Sequence, residues 1–241
     1  VTTVAFTAIL RVRAVVDAAG ESLMASRTLL VIGLFSTLVA ALFLLSVRDF
    51  KRMLAYSSVE HMGILSLGAA LGGVGLWAAF YHVWNNSMTK GALFLSAGNL
   101  RRAAGARTID EVRGMMFVTP QSAGLFLTGL FAVTACPPFG PFFSELLIVK
   151  TSFATGHGWA AALFLFCLLL AFLGLTRVVF AIVHGRPRAQ GRENGRRFPE
   201  RPELVLPPLL LLVVALWLGL ATPDVLRDSW SAAVGQLTGM P

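Results

Sequence analysis

The sequence predicts an all-α fold, a polytopic bundle of about seven membrane-spanning helices, and three observations carry that prediction. Hydrophobic residues fill 56% of the 241 positions and charged residues only 13%, giving a mean hydropathy of +0.74 that exceeds what a soluble core uses. The apolar residues gather in runs that approach the roughly twenty needed to cross a bilayer as helix. Most of the basic residues sit in the short stretches between those runs, where the net charge of +8 orients a membrane protein rather than coating a nucleic-acid-binding face.

In order, the runs are 1–17, 28–47, 52–72, 74–98, 116–154, 157–184 and 204–222. The first is short and ends in Arg11 and Arg13, so it reads as the latter part of a longer helix and the chain as part of a longer protein. It has no basic segment and small-residue cleavage site of the kind that marks a signal peptide. The run 116–154 is too long for one regular helix, and its Ala135-Cys136-Pro137-Pro138-Phe139-Gly140-Pro141 segment must interrupt it. Each proline there lacks a backbone donor and clashes with the preceding turn.

Charge decides whether 116–154 crosses once or twice. A single crossing places 48–52, 99–115 and 185–203 on one side, together with Arg48, Lys51, Arg52, Arg101, Arg107, Arg113, Arg186 and Arg201, and leaves chiefly Arg11, Arg13 and Arg27 opposite. A double crossing nearly erases that asymmetry, so the positive-inside rule favours one broken crossing with cytoplasmic basic loops and the C-terminus on the far side. Residues 1–184 then form the bundle, and 185–203, rich in arginine and proline, is a basic connector. Residues 204–241 are the last span and an interfacial tail with Leu226, Trp230 and Val234 on one side.

Several runs carry residues that a bilayer tolerates poorly. Charge at membrane depth is costly and usually marks an ion or proton pathway. His82, Asn86 and Lys90 recur at i, i+4 and i+8, which stacks them on one helical face over roughly 12 Å at 1.5 Å per residue. Glu60 and His61 lie inside the third run and Glu145 just beyond the break. Glu60 and His61 project about 100° apart, so they need not face the same cavity: one can face the polar line and the other a neighbouring subunit. Histidine changes charge near neutral pH and buried lysine or glutamate can be tuned to do so, which makes His61, His82, Lys90 and Glu145 a candidate proton path. A Lys90–Glu145 pair sharing one cavity would trade charge. The bland alternative for each is a static hydrogen bond between helices, and Lys51 reads equally as an interfacial anchor. Interrupted backbone belongs at membrane depth only beside protein or a wet cavity, so Pro137, Pro138, Gly140 and Pro141 mark an interior path. Cys136 and Cys167 have neither paired nor metal-ligand spacing, and the cysteines therefore predict no disulfide, zinc site or cluster.

Three stretches carry a resemblance to a known family: Arg48-Asp49-Phe50-Lys51-Arg52-Met53-Leu54-Ala55-Tyr56-Ser57-Ser58-Val59-Glu60-His61-Met62-Gly63, then Thr89-Lys90-Gly91-Ala92-Leu93-Phe94, then Pro137-Pro138-Phe139-Gly140-Pro141-Phe142-Phe143-Ser144-Glu145-Leu146. The chain resembles the antiporter-like, proton-translocating membrane subunits of complex I, Mrp antiporters and membrane-bound hydrogenases, most of all the hydrogenase-4 component F branch. The resemblance implies the second half of a fourteen-helix fold built from two inverted five-helix repeats. Lys90 would be the lysine of the central hydrophilic axis, His82 the histidine before it and Glu145 the ionisable residue of the broken helix. Thr3 stands where many members carry a further lysine.

The resemblance implies a membrane subunit translocating protons in a redox-driven complex of the hydrogenase-4 or NADH:quinone oxidoreductase type, in the inner (plasma) membrane. Its partners would be other membrane subunits and a peripheral redox module, with no nucleic acid. No redox motif is visible in the chain itself, so no cofactor and no metal is expected in it. A cation/proton antiporter subunit and a truncated, non-conducting packing module are the other readings.

Overall fold

The computed structural model describes residues 2–105, 108–109, 111–185 and 199–238. Ten helices follow one another among them: α1 Thr2–Ala18, α2 Ser22–Ser46, α3 Phe50–Leu71, α4 Gly73–Ala104, α5 Met115–Val118, α6 Pro120–Val133, α7 Gly140–Ala154, α8 Gly158–His184, α9 Pro202–Leu220 and α10 Asp224–Thr238. Helix covers all seven apolar runs. Among the described residues α2, α8 and α9 are long and apolar enough to cross a bilayer by themselves, with mean hydropathies of 2.6, 2.5 and 2.3. The polar residues of α3 and α4 dilute those two, and the fifth run is split.

The split run makes one crossing. Along α4, Ala78 shares a hydrophobic cluster with Ile148, His82 bonds Ser144, Asn85 lies against Gly140 and Leu93 lies against Gly129. Steadily rising numbers on α4 meet steadily falling numbers on α7 and then α6, so the two half-helices form a single interrupted rod antiparallel to α4. A folded-back pair of crossings would pack α6 along α7 instead. The interruption spans 134–139, where Ala135 takes a left-handed φ of 54°.

The same matching runs through the rest of the bundle. On α9, Leu204 accepts from Asn99 Nδ2 at 2.7 Å, Leu211 lies on Gly91 and Leu218 accepts from Tyr81 Oη at 2.9 Å, again antiparallel to α4. Helices α2 and α3 cross at Gly33 and Gly63, where an added Cβ on Gly63 would sit 2.7 Å from the Gly33 carbonyl oxygen. Only glycine allows that approach. Gly72, at φ 66°, turns the chain directly from α3 into α4.

The basic loops gather at one end of the bundle. Ile109 N donates to Arg48 O at 3.2 Å, and the backbone of Gly185 lies close to the Arg113 side chain. Glu200 accepts from the free N–H groups of Gln121 and Ser122 at 3.0 and 2.6 Å, a carboxylate placed on the positive end of α6. Residues 186–198, most of the basic connector, lie outside the described residues, as does Arg107. The tail forms α10, whose buried Trp230 packs on Trp77, Tyr81 and Trp84 with ring centroids 5.6, 5.6 and 6.5 Å away. Leu226 and Val234 are half-buried.

Candidate functional site

The polar residues converge where α3, α4 and α7 meet. Helix α3 is packed on nearly every side, with Gly63 through Ala70 all buried, and this corrects one expectation. Glu60 and His61 do not divide between interior and surface: they are 5% and 1% exposed, and the outward side of α3 at that level is taken by Val59, 43% exposed. His82 is wholly buried, Lys90 is 8% exposed and Glu145 6%.

His61 Nδ1 and His82 Nε2 lie 3.0 Å apart, and His82 Nδ1 lies 2.8 Å from Ser144 Oγ. The Ser144 hydroxyl donates its single hydrogen to Pro141 O at 2.8 Å. That assignment orients the chain when both rings are neutral. Ser144 Oγ has only lone pairs left, so His82 Nδ1–H donates to it. His82 Nε2 is then an acceptor, and His61 Nδ1–H donates to it. The remaining ring atom, His61 Nε2, carries a bare lone pair, and it is buried without a partner.

One level along the bundle, Lys90 Nζ donates to Ser57 Oγ at 2.6 Å. Glu60 is buried one turn along α3 from Ser57, on the side of the cluster where Lys90 is held. Glu145 converges instead with the histidines: one ligand atom each of His61, His82 and Glu145 lie within 4.8 Å of one another. The cause is registry. Helices α3 and α4 are antiparallel with 61 opposite 82, which sets 57 and 60 nearer 90, whereas α7 meets α4 at 82 and 85.

Four buried polar atoms here have no hydrogen-bond partner among the described residues: Glu60 Oε2, His61 Nε2, Asn85 Oδ1 and Asn86 Oδ1. Buried polar groups are normally satisfied by protein or by ordered water. Asn85, fully buried, lies against the first turn of α7 where the break ends, and Asn86, on the face of α4 that carries His82 and Lys90, is half-buried. Ser57 and Ser144 were not singled out by sequence reasoning; a hydroxyl one turn before Glu60 and His61, and one directly before Glu145, are the signals that would have found them. Lys51 is exposed at the first turn of α3 and lies outside the cluster. There Asp49 caps the helix, accepting from Arg52 N at 2.9 Å. Cys136 and Cys167 are free thiols.

Comparison with known proteins bears on the fold and the family. The family described as NADH:quinone oxidoreductase/Mrp antiporter, transmembrane, matches residues 1–171. A hydrogenase-4 component F homolog of Methylacidiphilum infernorum is 34% identical over 186 residues, covering 77% of this chain and 39% of that relative. NADH-quinone oxidoreductase subunit N of Desulforudis audaxviator is 31% identical over 227 residues, or 89% of this chain and 45% of that one. The chain thus spans less than half the length of these curated relatives. The fold is shared with a subunit of an archaeal membrane-bound sulfane sulfur reductase, at TM-score 0.85 and 23% identity over 97% of this chain and 46% of that one. A subunit of the Mrp complex from Dietzia sp. aligns at TM-score 0.83 and 24% identity over 97% of this chain and 51% of that one.

Proposed function

The chain belongs to the NADH:quinone oxidoreductase/Mrp antiporter transmembrane family, and we propose that it carries protons through the membrane as part of a subunit of a redox-driven complex, of the hydrogenase-4 or NADH:quinone oxidoreductase type. The observation that carries this reading is the buried 3.0 Å contact between His61 Nδ1 and His82 Nε2, continued to Ser144. A proton arriving at the bare His61 Nε2 makes that ring a double donor, which passes its Nδ1 hydrogen to His82 Nε2. His82 then releases its Nδ1 hydrogen toward Ser144 and Glu145. Lys90, held by Ser57 on the side of the cluster where Glu60 is buried, supplies the charge whose gain or loss sets the direction of transfer. Water at the unpartnered atoms of Glu60, Asn85 and Asn86 joins the two levels. Lys51 stays at the helix end as an interfacial anchor.

The basic loops face the cytoplasm of a cell whose inner membrane holds the complex, by the positive-inside rule. Electron transfer belongs to a peripheral redox module and other membrane subunits, with no redox cofactor in this chain. The names of the relatives support a redox partner most directly; the Mrp resemblance keeps cation/proton exchange as the competing outcome. Inverted membrane vesicles separate the two. Proton uptake that needs an electron donor and stops with Lys90→Met supports the redox-driven reading, and sodium- or potassium-dependent proton exchange without any donor overturns it.

A further inference from the structure

The geometry points to a second ligand for the same buried cluster: we propose that His61, His82 and Glu145 bind one divalent transition-metal cation of the zinc type. Two imidazoles and one carboxylate, with a fourth position left open, form a donor set that zinc uses. Imidazole nitrogen selects zinc, copper, nickel or cobalt over magnesium and calcium, which prefer all-oxygen shells.

The cluster needs little rearrangement to close on such an ion. Tetrahedral coordination with bonds of about 2.0–2.1 Å spaces ligand atoms about 3.3 Å apart. The His61 and His82 nitrogens already stand 3.0 Å apart, and one atom from each of the three residues lies within 4.8 Å of the others. All three side chains are buried. Ser144 Oγ holds the second nitrogen of His82, the outer hydrogen bond that orients ligating imidazoles.

Sequence spacing hides this site, because the three ligands come from α3, α4 and α7. Its consequence rests on the proton-path reading above. An ion coordinated by the two rings takes up the lone pairs through which they exchange hydrogen, so the metal blocks proton movement.

The test uses the chain purified in lipid nanodiscs, stripped with a chelator and titrated with Zn²⁺. Calorimetry is expected to count one ion per chain. Zinc K-edge absorption of the unsubstituted protein is expected to show two imidazole nitrogens and carboxylate oxygen around it. His61→Gln or Glu145→Gln should weaken binding at least about tenfold, while His157→Gln with His184→Gln leaves it unchanged. No bound ion, a shell without imidazole, or a site that survives both cluster substitutions overturns the proposal, and the absorption spectrum decides even where a substituted chain fails to fold. Proton flux in proteoliposomes separates this proposal from the functional one. Bound zinc with undiminished flux keeps the metal site and removes the proton path; flux that depends on His82 with no zinc bound does the reverse.

Discussion

Replacing Ser144 with alanine tests the orientation of the histidine pair without touching either ring. Ser144 Oγ is the acceptor for His82 Nδ1–H at 2.8 Å, in a place where both residues are fully buried. Removing it strands a buried donor, which costs about 1–3 kcal/mol. With water at the buried His61 Nε2 to accept a hydrogen there, the less costly arrangement moves the His82 hydrogen to Nε2. His61 Nδ1, facing it at 3.0 Å, must then become the acceptor and carry its own hydrogen on Nε2. Both rings therefore switch together, from Nδ1–H in the unsubstituted chain to Nε2–H in Ser144→Ala. Nitrogen-15 NMR of histidine-labelled protein distinguishes the two tautomers directly. A penalty of about 1–3 kcal/mol on the transfer step slows proton flux roughly 5- to 150-fold. Ser144→Thr keeps the hydroxyl and is expected to keep both the spectrum and the flux. An Nε2–H signal from either neutral ring in the unsubstituted chain refutes the inferred orientation, as does a Ser144→Ala spectrum identical to it.

Other consequences concern how the helices are held. Gly63→Ala drives a methyl to 2.7 Å from Gly33 O and 2.9 Å from Thr37 N on α2; overpacking of this kind costs about 1–3 kcal/mol, and thermal unfolding in detergent should register it as a lower midpoint. Glu200→Gln removes the carboxylate from the α6 N-terminus and is expected to cost about 0.5–2 kcal/mol, whereas Glu203→Gln, at an exposed position in the first turn of α9, should cost less; equal denaturation midpoints would contradict the capping role. Trp230→Ala empties a nearly closed aromatic site, so amide exchange should accelerate throughout α10 while α2 and α3 keep their protection.

The seven-run bundle was legible in the sequence because hydropathy reports burial in lipid, and the Pro-Pro break because proline cannot complete a helix ladder. The single crossing of 116–154 followed from arginine placement alone, and the residue-by-residue match of α4 with α7 and α6 agrees with it. Which charges meet was not legible. His82 and Lys90 share a face by spacing, but the partner each one finds depends on the registry between helices far apart in sequence. Registry here is set by close glycine contacts such as Gly68 of α3 against Gly75 and Ala79 of α4 and Ile148 of α7, which no periodicity announces. The same registry brought Glu60 inward to Lys90 and left Glu145 beside the histidines. Ser57 and Ser144 stayed invisible because a serine in a membrane helix usually bonds its own backbone, as Ser96 and Ser152 do.

Passive or driven proton movement in proteoliposomes, followed with an internal pH-sensitive dye, is the direct measure of a buried path that works in series. His82→Gln and Lys90→Met should each reduce flux to the protein-free background, and the double variant should lose nothing further, because a path broken once is already closed. Substantial flux remaining in either single variant, with the protein folded and inserted, would show that protons do not travel through this cluster.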